Sequence, residues 1–342
     1  MIKEENNKSI NEWQDYLSDR GLSEDLILKY IPYIKKLNKN KTPVIFEVEH
    51  LSALIGIEYL ELNKIIHNPE CFYRDFTIPK RNGGKRIISA PYPSLLKCQH
   101  WIYENILKKQ KIHSCAHAYE KNKSILTNAE SHLNKKALLK MDMKNFFPSI
   151  PINWVINFFS QLGYANNVSY TLATICCLNS ALPQGAPTSP SLSNILLWHF
   201  DRRVYNLSNT YNLNYTRYAD DLTFSGYYIP HKFILLISSI TENCGLSINE
   251  KKTKLIIGSK QKIVTGISVK NDVLTLPRKS KRLIKQEIHY IKKYGLISHI
   301  SKLKIKKTNY LLSLEGKIRF WLQVEPDNIF ANESLLFILN NK

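Results

Sequence analysis

Two adjacent carboxylates, Asp220 and Asp221, lie between strand-like runs, Tyr215 to Tyr218 and Leu222 to Ser225, that are rich in aromatic, Thr and Leu residues. Such a pattern reads as a β-hairpin with two acids at its turn. An Asp-Asp pair in a turn is often only a solvated turn, because Asp side chains bond nearby backbone there. A third carboxylate changes the reading, since the apolar run Ala137-Leu138-Leu139-Lys140-Met141 ends in Asp142. Three acids at strand ends can form one site. Oxygen-only ligands suit Mg²⁺, which takes a few carboxylates and completes its shell with phosphates and water. Two such ions about 3.5–4 Å apart can activate an attacking hydroxyl and stabilise a leaving pyrophosphate in one in-line displacement.

The elements that must position these acids can be read along the chain. Residues 1–60 carry mixed charge, and Leu51, Leu54, Ile55 and Leu62 follow a spacing that fits a helix entering a core, so a helical N-terminal extension is expected there. From Phe72 to Pro93 the chain reads as extended, with Asn82-Gly83-Gly84 as a hairpin turn and Lys80, Arg81, Lys85 and Arg86 at the tip. Leu95 to Lys109 reads as an amphipathic helix. Between Arg278 and Lys307 there are eleven Lys or Arg and one acid, Glu287. Ile284, Ile288 and Ile291 give this segment one packing face, Lys281, Arg282, Lys285 and Lys292 project elsewhere, and Gly295 is a C-terminal stop. With almost no acids available for i, i+4 pairing, that surface suits phosphate.

Composition bounds the partners. The 342 residues are 44% hydrophobic, enough for a sizeable core and two or three subdomains. Forty-eight Lys and Arg against 28 acids leave a net charge of +20, which favours a polyanion, nucleic acid first and membrane surface second. No apolar stretch approaches the roughly 18 residues of a membrane span, and Met1 to Lys8 lacks the apolar core of a signal peptide, so a cytoplasmic protein without membrane partners is expected. The six cysteines include no CxxC pair and the one close pair, Cys176-Cys177, lies in an apolar segment, so buried reduced thiols are expected.

Taken in order, the segments IPKRNGGKRIISAP, LLKMDMKNFFPSI, ALPQGAPTSPSLSNI, RYADDLTFSG, GLSINEKKTKL and VTGISV resemble the successive blocks of reverse transcriptases, over roughly residues 70 to 330. Asn128-Ala129-Glu130-Ser131-His132 resembles the NAxxH string, and Val264-Thr265-Gly266 the VTG string, of bacterial retron reverse transcriptases. The resemblance implies an α+β fold, a right-handed polymerase with fingers, an antiparallel palm sheet backed by helices, and a helical thumb. The division expected is 1–60 extension, 61–270 fingers and palm, and 271–342 basic thumb.

It also implies roles. Asp142, Asp220 and Asp221 match the acids that hold two Mg²⁺. Phe147 matches the side chain closing the space under the sugar 2′ position. Gln184 and Gly185, with Tyr218, match residues lying against the incoming deoxynucleotide. Arg86, with Lys80 or Lys85, would clamp its triphosphate. Lys251, Lys252 and Lys254 are three candidates for a basic residue near the leaving pyrophosphate. Asn128, His132, Val264, Thr265 and Gly266 match motifs expected at nucleic acid, and Lys281, Arg282 and Lys285 a thumb face that holds structured RNA. The function implied is copying part of a cognate noncoding RNA into single-stranded DNA, primed from an RNA 2′-hydroxyl, giving a branched hybrid used in anti-phage defence with an effector protein. A group II intron reverse transcriptase fits less well, because about 20 residues follow Trp321 and the NAESH and VTG strings point to retrons. Gln184-Gly185-Ala186-Pro187 argues against a diversity-generating enzyme. A vestigial RNA-binding scaffold would be free to lose the three acids and Gln184, all of which are present.

Overall fold

The computed structural model describes residues 10–80, 83–304 and 309–340. In chain order it runs through α1 (Ile10–Asp19), α2 (Glu24–Lys39), α3 (Val48–Ile55), α4 (Tyr59–His67), β1 (Tyr73–Pro79), β2 (Lys85–Pro91), α5 (Pro93–Asn105), α6 (Ile125–Glu130), β3 (Ala137–Asp142), α7 (Ile152–Leu162), α8 (Asn166–Cys176), α9 (Thr188–Leu196), α10 (Trp198–Thr210), β4 (Asn214–Tyr218) and β5 (Asp221–Gly226). It continues with α11 (His231–Asn243), β6 (Lys254–Ile257), β7 (Lys262–Val264), β8 (Ile267–Lys270), β9 (Val273–Thr275), α12 (Arg278–Tyr294), α13 (Leu296–Lys302), α14 (Tyr310–Val324) and α15 (Ile329–Leu339). The α+β class expected from the sequence is the class observed.

Two compact units emerge, each built from separated stretches of chain. The first comprises Met1–Ser114, Met143–Arg203 and Ser238–Ile248. It holds the antiparallel hairpin β1–β2, paired from Tyr73↔Pro91 to Pro79↔Lys85. Arg81 and Asn82 at its turn lie outside the described residues. Helices α1 to α4 lie in this unit, where Asn40 Nδ2 donates to the Leu162 carbonyl at 2.7 Å and the Tyr164 hydroxyl to the Pro43 carbonyl at 2.9 Å. The single helix expected around Leu51 to Leu62 is two, because Gly56 takes a left-handed φ of 74° and ends α3.

The second unit comprises Cys115–Asp142, Val204–Ile237 and Asn249–Lys342. Its centre is a four-stranded antiparallel sheet in the order β4-β5-β3-β6. Strand β3 is nearly all apolar because it lies inside this sheet, with Leu138 and Leu139 at 0% exposure. A smaller sheet, β7-β8-β9, packs Val264, Ile267 and Val269 with Ala129 of α6, Leu138 of β3 and Val324 of α14. The last helices enclose a core of their own, in which Ile284, Ile288 and Ile291 of α12 meet Leu314, Ile318 and Trp321 of α14 and Ile338 of α15. The packing face and Gly295 stop read for α12 are both present, Gly295 having a φ of 80°. None of the six cysteines, all among the described residues, forms a disulfide; Cys98, Cys115, Cys176 and Cys177 are buried as expected, whereas Cys71 is exposed and Cys244 partly so.

Candidate active site

Strand register brings the acids together. Asp142, the last residue of β3, is the direct cross-strand partner of Asp221, the first residue of β5. Asp221 also pairs with Tyr218 of β4, which leaves Ala219 and Asp220 as the two-residue turn. Ala219 takes a left-handed φ of 57°, a conformation that a side chain disfavours and that tertiary contacts must hold. Arg217 supplies one: its guanidinium is fully buried, and Nη1 donates to the Ala219 carbonyl at 3.2 Å. Its own backbone is fixed by Arg217 N to Cys115 O and His117 N to Arg217 O, both 2.8 Å. On the other side Asn249 N donates to the Asp142 carbonyl at 2.7 Å. Nothing in the sequence pattern had singled out Arg217.

Clustering acids in a half-dry place has an electrostatic consequence. Burial, then the charges of Asp221 and Asp142, push the Asp220 carboxyl up to about 6. Asp221 is raised as well, chiefly by burial, with Asp142 adding to the rise and the Lys140 and Lys252 ammoniums opposing it. Lys252 Nζ donates to both carboxylate oxygens of Asp142 at 2.8 Å. That bond raises the Lys252 pKa, so the ammonium is charged at neutral pH. Of the three lysines left open by the sequence, Lys252 is the one on the acids.

The donor set fits a hard divalent cation. It is all oxygen, two of its members are raised by burial and by neighbouring carboxylates, and a cation, the Lys252 ammonium, already bridges the third. Among the described residues no three His, Cys, Asp or Glu side chains close on one point as they stand. A cation held here would therefore complete its shell from substrate phosphates and water.

Of the residues expected at the nucleotide, Lys85, Arg86, Phe147, Gln184 and Gly185 belong to the first unit and Tyr218, at the end of β4, to the second. Ser89 N of β2 donates to the Gln184 carbonyl at 2.9 Å, joining the fingers-like hairpin to the Pro183-Gln184-Gly185 turn. Gly185 has a φ of +135°, and a Cβ there would lie 2.5 Å from the Ser89 carbonyl oxygen, so only glycine fits. Lys85 and Arg86 are exposed on β2, cross-strand from Pro79 and Ile78. Phe147 is half-buried in a turn closed by Ser149 N to Asn145 O at 2.9 Å, whereas its neighbour Phe146 is 6% exposed and belongs to the core.

Three of the residues expected at nucleic acid are buried. Asn128, His132 and Val264 are at 0, 1 and 0% exposure, so their side chains hold the fold. His132 lies between the hydroxyls of Ser225 on β5 and Thr216 on β4, each at 2.7 Å, and burial lowers its pKa to about 3, keeping it neutral. It thereby clasps the two strands of the acid-bearing hairpin. Asn128 Nδ2 donates to Thr265 Oγ1 at 3.3 Å, and Thr265 Oγ1 donates to the Ile125 carbonyl at 3.1 Å, so the NAESH and VTG strings meet as one joint. Thr265 and Gly266, with φ of 44° and 88°, form the β7–β8 turn, and Gly266 is exposed. Lys281 is ion-paired to Glu325 at 2.7 Å, while Arg282 and Lys285 are exposed. Lys306 and Lys307, at the end of the basic segment, lie outside the described residues.

Comparison with known proteins decides what this arrangement belongs to. Residues 78–311 match the family model described as reverse transcriptase (RNA-dependent DNA polymerase). The Retron Ec86 reverse transcriptase of Escherichia coli is 35% identical over 253 residues, covering 73% of this chain and 79% of that one. The chain belongs to the retron reverse transcriptases. The Retron Mx65 reverse transcriptase of Myxococcus xanthus is 31% identical, covering 76% of this chain and 66% of that one. The Retron Mx162 enzyme of the same organism is 32% identical, and the chain spans 59% of its length. Among solved structures, telomerase from Candida albicans in complex with a fragment of telomeric RNA aligns with a TM-score of 0.44 at 11% identity, covering 78% of this chain and 62% of that one. The four-stranded sheet, the β1–β2 hairpin and the helices α12 to α15 are the elements that the sequence resemblance implied as palm, fingers and thumb.

Proposed function

We propose that this reverse transcriptase copies part of a cognate, structured noncoding RNA into single-stranded DNA, starting from a 2′-hydroxyl of that RNA and leaving a branched RNA–DNA hybrid. The observation that carries the reading is the Asp142–Asp221 register pair with Asp220 in the adjoining turn, in a chain of this family. Asp142, Asp220 and Asp221 would hold two Mg²⁺, which when bound supply charge neutralisation at the reacting phosphate and lower the pKa of the attacking hydroxyl. Phosphoryl transfer asks the protein mainly for positioning and electrostatics. Arg86 and Lys85 project from β2 to take the deoxynucleotide triphosphate, a guanidinium being able to bind it through two parallel hydrogen bonds. Gln184, Gly185 and Tyr218 lie against the nucleotide, and the partly exposed ring of Phe147 excludes a 2′-hydroxyl. Lys252, charged and on the acids, adds positive potential where pyrophosphate leaves.

The setting inferred is the cytoplasm, with the hybrid acting in anti-phage defence beside an effector protein. Among the described residues no helix is long and apolar enough to cross a membrane. The experiment is isolation of nucleic acid from cells expressing the protein with its neighbouring noncoding sequence. The reading expects a short DNA that keeps one ribonucleotide branch after exhaustive ribonuclease digestion. DNA with an ordinary 5′ end would overturn 2′-hydroxyl priming.

A further inference from the structure

The C-terminal end of α12 carries a row of rings with an open outer end. Tyr310, His299, Tyr290 and Tyr294 follow one another: His299 lies 5.8 Å from Tyr310, Tyr290 is stacked on His299 at 6.1 Å and 23°, and Tyr294 is stacked on Tyr290 at 6.1 Å and 25°. The inner end is locked. His299 is 5% exposed and shares a 3.0 Å hydrogen bond with the Tyr310 hydroxyl, which donates to Glu287 at 3.3 Å. The outer end is not, for Tyr290 is 38% and Tyr294 51% exposed. Lys293 and Lys302 hold their ammoniums over the Tyr294 ring, 5.3 and 5.9 Å from its centre, as exposed cation–π contacts that a phosphate can draw off the ring.

Hydrophobic packing explains the inner rings and leaves the outer ones unexplained. A ring held rigid from behind, half in solvent and framed by two ammoniums, is what a stacked base with flanking phosphates requires. Charge excludes a basic partner: Glu287 is the one acid on α12, and its carboxylate is taken by Lys317 at 2.9 Å. A base within a duplex has both faces covered by its neighbours, so the exposed ring selects an unpaired one.

We propose that Tyr294, backed by Tyr290, is a stacking site for an unpaired nucleobase of a single strand, with Lys293 and Lys302 on the adjoining phosphates. The proposal rests on the reading of the chain as an RNA-copying enzyme and adds a contact outside the palm. The strand is the RNA or the DNA copied from it; the chemistry is the same for both.

The test is fluorescence anisotropy of the full-length protein with three labelled probes, a single-stranded oligoriboadenylate, the matching oligodeoxyadenylate and a blunt RNA duplex, across a salt titration. Tyr294→Ala should weaken binding of a single strand about five- to a hundredfold, leave its salt slope unchanged and leave the duplex unaffected. Tyr294→Phe should bind as the unaltered protein does. Lys293→Gln with Lys302→Gln should instead lower the slope by about 0.7 per lost contact. Which single strand responds identifies the source. Unchanged binding of both single strands by Tyr294→Ala, or an equal loss on the duplex, would overturn the proposal; Tyr294→Leu, which keeps apolar bulk without a π face, repeats the reading if the Ala variant melts early. Extension of a pre-annealed primer by the unaltered protein reads the palm separately, so its failure would count against the function proposed above and not against the stacking site.

Discussion

At the scale of single residues, Asp220 is held where its charge is disfavoured. Its native pKa of about 6 lies above the unfolded value near 3.9, so the native state binds the proton more tightly. The sign follows from linkage. Stability contributed by this group is greatest below about pH 4 and is lost as pH rises through about 6. Asp220→Asn should therefore stabilise the metal-free protein at neutral pH, by up to about 3 kcal/mol, while ending DNA synthesis. A thermal melt in EDTA checks it, and a lowered midpoint would show that the carboxylate is compensated in the native state. Phe147 makes a second residue-scale claim. Phe147→Ala should raise ribonucleotide relative to deoxynucleotide incorporation by about ten- to a hundredfold, because the discrimination is steric. Single-nucleotide incorporation with matched ribo- and deoxyribonucleotides measures it; unchanged selectivity would place the gate at another side chain.

At the scale of elements, what could be read from the sequence was local. Period and composition showed β3 ending in Asp142, the β4–β5 hairpin, and the Ile284, Ile288 and Ile291 face of α12. They could not show that Asp142 faces Asp221, that Lys252 rather than Lys251 or Lys254 reaches Asp142, or that Arg217 braces the turn, because those are pairings between distant segments. The NAESH and VTG strings were legible as motifs but were assigned to nucleic acid, whereas Asn128 and His132 are buried joints. Periodicity reports a face and not its partner. The joint makes its own prediction: His132→Ala leaves the Ser225 and Thr216 hydroxyls unpaired in the sheet, at about 1–3 kcal/mol each. Stability should fall and synthesis with it, while the salt slope of RNA binding stays as it was, since no phosphate contact is lost. A changed slope in the anisotropy titration would mean that His132 meets RNA directly.

At the scale of the whole molecule, a net charge of +20 gives a general attraction for nucleic acid that thumb residues must turn into positioning. The lysines are not equivalent. Lys281 is half-buried against Glu325, whose Oε1 also accepts from Leu276 N at 2.7 Å, so it ties α12 to the end of α14. Arg282→Gln with Lys285→Gln should lower the log–log salt slope of RNA binding by about 0.7–0.9 per lost contact, with the thermal midpoint unchanged. Lys281→Gln should do the reverse and lower the midpoint. A normal slope in the double variant would make that face a solvated surface.

The central claim is that Asp142, Asp220 and Asp221 form one metal-dependent site for copying RNA into DNA. The most direct measurement is extension of an annealed DNA primer on an RNA template by EDTA-stripped protein, with and without added Mg²⁺, for the unaltered chain and for Asp221→Asn. Extension by the unaltered chain should depend on dNTPs and appear only with Mg²⁺, and Asp221→Asn should give none although it binds the same RNA. Substantial extension by Asp221→Asn, or extension by the stripped protein without added metal, would contradict it.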